Sequence, residues 1–103
     1  MPKYIKVAKV SEMPPGAARE FHANGYVIAL FNVDGQFHAL DNTCLHRGGP
    51  LGQGALEGDI VTCPWHGWQY NVKSGESVFN EDIRVKTYEV KVEGDDIVIG
   101  VES

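Results

Sequence analysis

At 103 residues, 43% of them apolar and 22% charged, the chain has room for one small domain with a modest core and for no separate substrate domain. Nine Lys and Arg against 14 Asp and Glu leave a net charge of −5. That argues against nucleic acid or an anionic membrane as partner and suits docking on a basic patch of another protein. No apolar run approaches the roughly 18 residues of a membrane span, and Met1-Pro2-Lys3-Tyr4 does not begin a signal peptide, so the expected location is the cytoplasm.

Short β-like runs separated by turn residues dominate the chain. Tyr4 to Val7 reads as a first strand, followed by at most one helical turn near Ser11 to Met13 and a loop at Met13-Pro14-Pro15-Gly16. Ala18 to His22 and Tyr26 to Asn32 form a predicted hairpin about Asn24-Gly25, a strong turn signal. Val33-Asp34-Gly35 turns the chain into Gln36 to Asp41, with Phe37 and Ala39 on one face and His38 and Leu40 on the other. From Asn42 to Gly58 the glycine-rich composition predicts loop. Asp59 to Thr62 and Trp68 to Val72 are short strands, the second ending at the turn Lys73-Ser74-Gly75-Glu76. Lys86 to Val92 and Asp96 to Val101 alternate with a period of two about Glu93-Gly94-Asp95. The expected architecture is all-β: a small antiparallel sandwich or barrel, one domain over 1–103, with a loop-rich ligand-bearing region from about 42 to about 80 inserted between strands.

That inserted region holds both cysteines and two of the four histidines. Cys44-Leu45-His46 is C-x-H, and Cys63-Pro64-Trp65-His66 is C-x-x-H. Two thiols and two imidazoles make a complete four-ligand metal set. In the cytoplasm such a cysteine pair more often binds metal or does redox chemistry than forms a disulfide. The spacings are too short for one regular strand to present both side chains to one ion, so two facing loops, each giving one Cys and one His, are the expected arrangement. Gly48, Gly49 and Gly67 flank the histidines, where backbone must approach a bound group closely. Trp65 and Trp68 bracket His66-Gly67 as a shield and an apolar rim. His22 and His38 stand alone in strand-like runs and read as ordinary strand residues.

Cys44-Leu45-His46-Arg47-Gly48-Gly49 and Cys63-Pro64-Trp65-His66-Gly67-Trp68-Gln69-Tyr70 resemble the two cluster loops of Rieske proteins. The resemblance implies three small antiparallel sheets and one [2Fe–2S] cluster at their tip. In it Cys44 and Cys63 hold one iron, and His46 and His66 hold the other through Nδ1. It also implies an electron carrier with no catalytic residues. The respiratory members of the family join their loops by a disulfide between positions that are Gly49 and Trp65 here, and carry a sulfide-bonding Ser where this chain has Trp68. Tyr70 does match the tyrosine that can hydrogen-bond a ligating Cys sulfur. With fewer donors, the potential is expected near the low end of the Rieske range, about −150 mV. Many members also cover the cluster with a proline-containing third loop. This chain has no proline after Pro64, and Phe79-Asn80-Glu81-Asp82-Ile83 either covers the cluster differently or leaves it more exposed.

The resemblance thus points to a monomeric, cytoplasmic Rieske-type ferredoxin, not itself an enzyme. It would take electrons from a flavoprotein reductase and pass them by transient docking to a ring-hydroxylating or related oxygenase. Two other readings use the same residues. One is the small subunit of an assimilatory NAD(P)H nitrite reductase, against which the complete ligand set weighs. The other is a structural Cys₂His₂ zinc module, against which weighs the placing of one His beside each Cys rather than both on a helix.

Overall fold

The strand-forming runs pair in the antiparallel order that their alternation and turns favour. The computed structural model of the chain describes residues 2–23, 25–43, 50–65, 67–80 and 82–102. Strands β1 (Pro2–Lys9), β2 (Ala18–Ala23), β3 (Tyr26–Val33) and β4 (Gln36–Asp41) precede the ligand-bearing region. The short strands β5 (Ala55–Glu57), β6 (Ile60–Thr62) and β7 (Gln69–Asn71) lie within it, and β8 (Thr87–Glu93) and β9 (Asp96–Glu102) follow. Among the described residues six strands form one ladder in the order β1-β9-β8-β4-β3-β2, and β5-β6-β7 form a second. β8 joins the two halves of the larger ladder. Thr87 and Tyr88 pair with β4, whereas Glu89 to Glu93 pair with β9. The expected three sheets are therefore two halves sharing β8 and a separate three-stranded piece.

β3 explains why the molecule has two cores. Every residue from Ile28 to Asn32 is buried, so both faces of this strand are covered. Ile28 and Leu30 face a core that also takes Ala8 from β1, Ala39 from β4, Tyr88 from β8 and Ile97, Ile99 and Val101 from β9. Residues from both halves of the ladder meet there, which means that the sheet curls on itself. Ala29 and Phe31 face the other way, with Leu40, into a second core completed by Leu51, Val61, Cys63, Tyr70, Val72 and Val85. The ligand-bearing region is thus packed on the sheet by apolar burial, the largest favourable term available to it.

The 3₁₀ turn falls at Val10–Glu12, one residue earlier than expected. The 42–58 segment is not wholly loop: Leu51–Gln53 form a 3₁₀ turn and Ala55–Glu57 a strand. Three residues with a single large apolar side chain carry no local strand signal. β5 exists because Leu56 lies opposite Val61 of β6, a tertiary pairing.

Candidate metal centre

Each ligand loop leaves and returns to the fold through a closed neck. Thr43 and Pro50 form an isolated antiparallel bridge at the ends of the first loop. Next to it the Leu51 amide donates to the Asn42 carbonyl at 2.8 Å, and the Gly52 amide to Asn42 Oδ1 at 2.7 Å. The second loop is closed where the Cys63 amide donates to the Trp68 carbonyl at 2.7 Å, directly beyond the β6–β7 pair Thr62–Gln69. Leu51, Val61 and Cys63 belong to the same buried cluster, so both necks stand on one apolar floor.

Of the four expected ligands, Cys63 lies among the described residues; Cys44, His46 and His66 lie outside them, as do Leu45, Arg47, Gly48 and Gly49. Cys63 is 1% exposed and sits in the second core. A thiolate so placed is costly unless a cation compensates it, and an iron ion would provide that charge. Gly67 has φ +75°, and a Cβ there would meet no atom of the described residues within 4 Å. The left-handed backbone by itself favours glycine beside His66. Tyr70, fully buried, pairs with Val61 and shares the core with Cys63. A buried thiol at a closed neck, opposite a second closed neck on the same floor, suits a cluster held between two loops.

The two tryptophans separate. Trp68 packs against the second core, while Trp65 is 51% exposed. The Val78 amide donates to the Gln69 carbonyl at 2.9 Å, which sets Val78 and Phe79, 52% and 72% exposed, beside the exit of the second loop. The stretch that replaces a proline-containing third loop is held by its own polar side chains. Asn80 Oδ1 accepts from the Asp82 amide at 2.9 Å, Ser77 Oγ from Phe79 at 3.2 Å, and the Ser77 amide donates to the Ile83 carbonyl at 2.7 Å. Short side-chain turns of this kind fix a loop without proline; Glu81 lies outside the described residues.

Similarity to known proteins bears on which metal this ligand set serves. The Rieske [2Fe–2S] domain model matches residues 3–89. The chain belongs to the Rieske [2Fe–2S] domain family. Its cofactor is accordingly one [2Fe–2S] cluster, and the zinc reading is set aside. The chain is 32% identical over 101 residues to the ferredoxin CarAc of Metapseudomonas resinovorans, covering 96% of this chain and 94% of that one. It is 37% identical over 97 residues to the 3-phenylpropionate/cinnamic acid dioxygenase ferredoxin subunit of Shigella flexneri, covering 92% and 91%. A solved complex of reduced oxygenase and oxidized ferredoxin in carbazole 1,9a-dioxygenase contains a chain that superposes with a TM-score of 0.86. It is 32% identical, with 93% of this chain and 91% of that one covered. These Rieske relatives are ferredoxin components, electron carriers rather than enzymes, and this chain is an electron carrier of the same kind.

His22 is exposed on β2, as expected of an ordinary strand residue. His38 is partly buried on β4, with Nε2 shielded from solvent and without a hydrogen-bond partner among the described residues. Burial, and secondarily Lys73, lowers its pKa, with Asp59 opposing. No group of three or more His, Cys, Asp or Glu side chains gathers as a further metal site among the described residues. No described helix is long and apolar enough to cross a membrane. Asn42 and Glu20, which support the neck of the first loop, are invisible to sequence reading. Asn42 lies just ahead of the C-x-H motif, but its partners are 10 and 22 residues away.

Proposed function

We propose that Cys44, His46, Cys63 and His66 hold the cluster, the cysteines on one iron and the histidines on the other. We propose further that the chain carries single electrons from a flavin-dependent reductase to the terminal oxygenase of a ring-hydroxylating system. When bound, the cluster accepts and returns one electron. The observation that carries the reading is the buried Cys63 thiol at the closed neck of the second loop, on the floor it shares with the first. Cys63 and Cys44 would bring thiolate charge to the inner iron, while neutral His46 and His66 would keep the outer one near the surface. Trp65, Val78 and Phe79 offer exposed apolar contact around the second loop, and the net charge of −5 steers the chain toward basic patches on its partners. A small, wet and weak interface is what repeated docking with two partners needs. The occurrence of a similar ferredoxin in complex with an oxygenase supports this choice of partner. The same reading has the chain act as a monomer in the cytoplasm, where its thiols stay reduced for cluster assembly.

The test is anaerobic mixing with the purified reductase and terminal oxygenase of an aromatic-ring dioxygenase. The expected result is reduction by the first and reoxidation by the second, both lost in Cys63→Ser. A fully loaded protein that exchanges no electron with either, or that purifies with a sirohaem subunit, contradicts the proposal.

A further inference from the structure

The neck of the first ligand loop is closed by a side-chain amide that is itself held from a distant strand. Asn42 is buried and uses its hydrogen-bonding groups on three separate elements. Its amide N–H donates to the Val27 carbonyl of β3 at 3.1 Å, and its carbonyl accepts from Leu51 at 2.8 Å. Its Oδ1 accepts from Gly52 at 2.7 Å, and its Nδ2 donates to Glu20 Oε2 of β2. The other Glu20 oxygen accepts from Gln53 Nε2 at 2.6 Å. The contact is close enough that a Cβ at Gly52 would lie 2.5 Å from Glu20 Cγ and 3.0 Å from the Arg19 carbonyl. Ordinary loop closure needs only the Thr43–Pro50 bridge and the Leu51 bond. The side-chain bonds add a fixed orientation between the two ends, and those ends lead directly to Cys44 and His46.

We propose that Glu20 and Asn42 are positioning residues for the cluster: Glu20 orients the Asn42 carboxamide, and Asn42 fixes the neck at Thr43 and Pro50 from which the chain runs on to Cys44 and His46. The proposal rests on the reading that those two residues are ligands. The chemistry dictates a specific pattern of rescue. In Asn42→Asp one oxygen still accepts from Gly52, but the other confronts the Glu20 carboxylate, so the clamp is pushed open. In Glu20→Gln one oxygen still accepts from Asn42, and the new amide can donate to Gln53 once the exposed Gln53 amide turns over. With both substitutions together, the new amide on β2 donates to the new carboxylate at the loop neck, and the clamp re-forms with its polarity reversed.

The experiment loads all three variants with cluster and follows the half-life of the visible absorbance at one fixed pH. The electron paramagnetic resonance line shape of the reduced protein is recorded alongside. Asn42→Asp should lose its cluster about tenfold faster than the unaltered chain and broaden or shift the signal, an effect of the size that contacting partners commonly couple. Glu20→Gln should stay within about twofold, and Glu20→Gln with Asn42→Asp should recover most of the loss and the original line shape. The proposal is overturned if Asn42→Asp is unaffected, if Glu20→Gln is as labile as Asn42→Asp, or if the double variant is no better than Asn42→Asp. Should Asn42→Asp fail to fold by circular dichroism, Glu20→Ala against Glu20→Gln decides: a labile alanine and a stable glutamine variant support the clamp, and equal behaviour refutes it. Cys44→Ser separates the two claims. If it keeps its cluster, the ligand reading fails; if it loses the cluster while Asn42→Asp does not, only the clamp fails.

Discussion

Phe31→Ala tests whether the ligand-bearing region is anchored on the sheet by the second core. Phe31 is fully buried between Leu40 and the floor formed by Leu51, Val61, Cys63 and Tyr70. Burying a phenylalanine side chain contributes about 1.5–3 kcal/mol by transfer alone. β3 is paired on both sides, so little can collapse into the hole, and the cavity raises the cost to about 3–5 kcal/mol. Against a total of about 5–15 kcal/mol for a domain of this size that is a large fraction. At about 4–8 °C per kcal/mol it lowers the melting temperature by about 12–40 °C. The assay is thermal unfolding of the loaded protein followed both by circular dichroism and by visible absorbance, with Phe79→Ala as control. Phe79 is exposed, and its removal should change stability by no more than about 0.5 kcal/mol. The visible signal of Phe31→Ala should disappear with the fold, because the floor it leaves carries Cys63. A Phe31→Ala protein within about 1 kcal/mol of the unaltered chain refutes this account of the second core.

Other substitutions and pH probe separate parts of the argument. Asn32→Ala should cost about 1–3 kcal/mol in urea titration, because buried Asn32 Nδ2 donates to the Met13 carbonyl at 2.6 Å and its Oδ1 accepts from Gly35 at 2.7 Å. Gly75→Ala should cost about 2–4 kcal/mol by the same measurement. Its φ is +80°, and a Cβ would press on the carbonyl of Val85, the residue whose amide donates to the Gly75 carbonyl at 2.9 Å beside the Glu76–Arg84 bridge. His38 has its pKa lowered chiefly by burial, so the folded chain binds its proton less readily than the unfolded chain, whose value is 6.5. The unfolded state then carries more protons just below that value, and stability present above pH 6.5 falls as pH drops through the window beneath it. His38→Leu should flatten that part of the stability curve, and an unchanged slope in the variant would show that His38 is not its source.

The parts of the fold written locally were legible in the chain. Period-two alternation placed Phe37 and Ala39 opposite His38 and Leu40, and the structure puts the first pair at one core and Leu40 at the other. The turns at Gly25, Gly35 and Gly94 carry the positive φ that their sequence promises. What depends on distant partners was not legible. β5 is made by Val61 across the sheet, and the support of the first loop comes from Glu20, 22 residues before Asn42. The glycine beside His66 was read as leaving room for a bound group; the structure adds that its backbone is left-handed, at φ +75°. The ligand pattern itself was readable because C-x-H and C-x-x-H are dictated by coordination chemistry, whereas the self-fastened Ser77–Ile83 stretch has no motif and shows only in its hydrogen bonds.

Electron paramagnetic resonance of the dithionite-reduced protein tests the central claim most directly. A rhombic signal whose mean g lies below that of all-cysteine [2Fe–2S] clusters, lost in Cys63→Ser, is the result that ligation by Cys44, His46, Cys63 and His66 predicts. A colourless protein without signal, or a signal of the all-cysteine type, contradicts it.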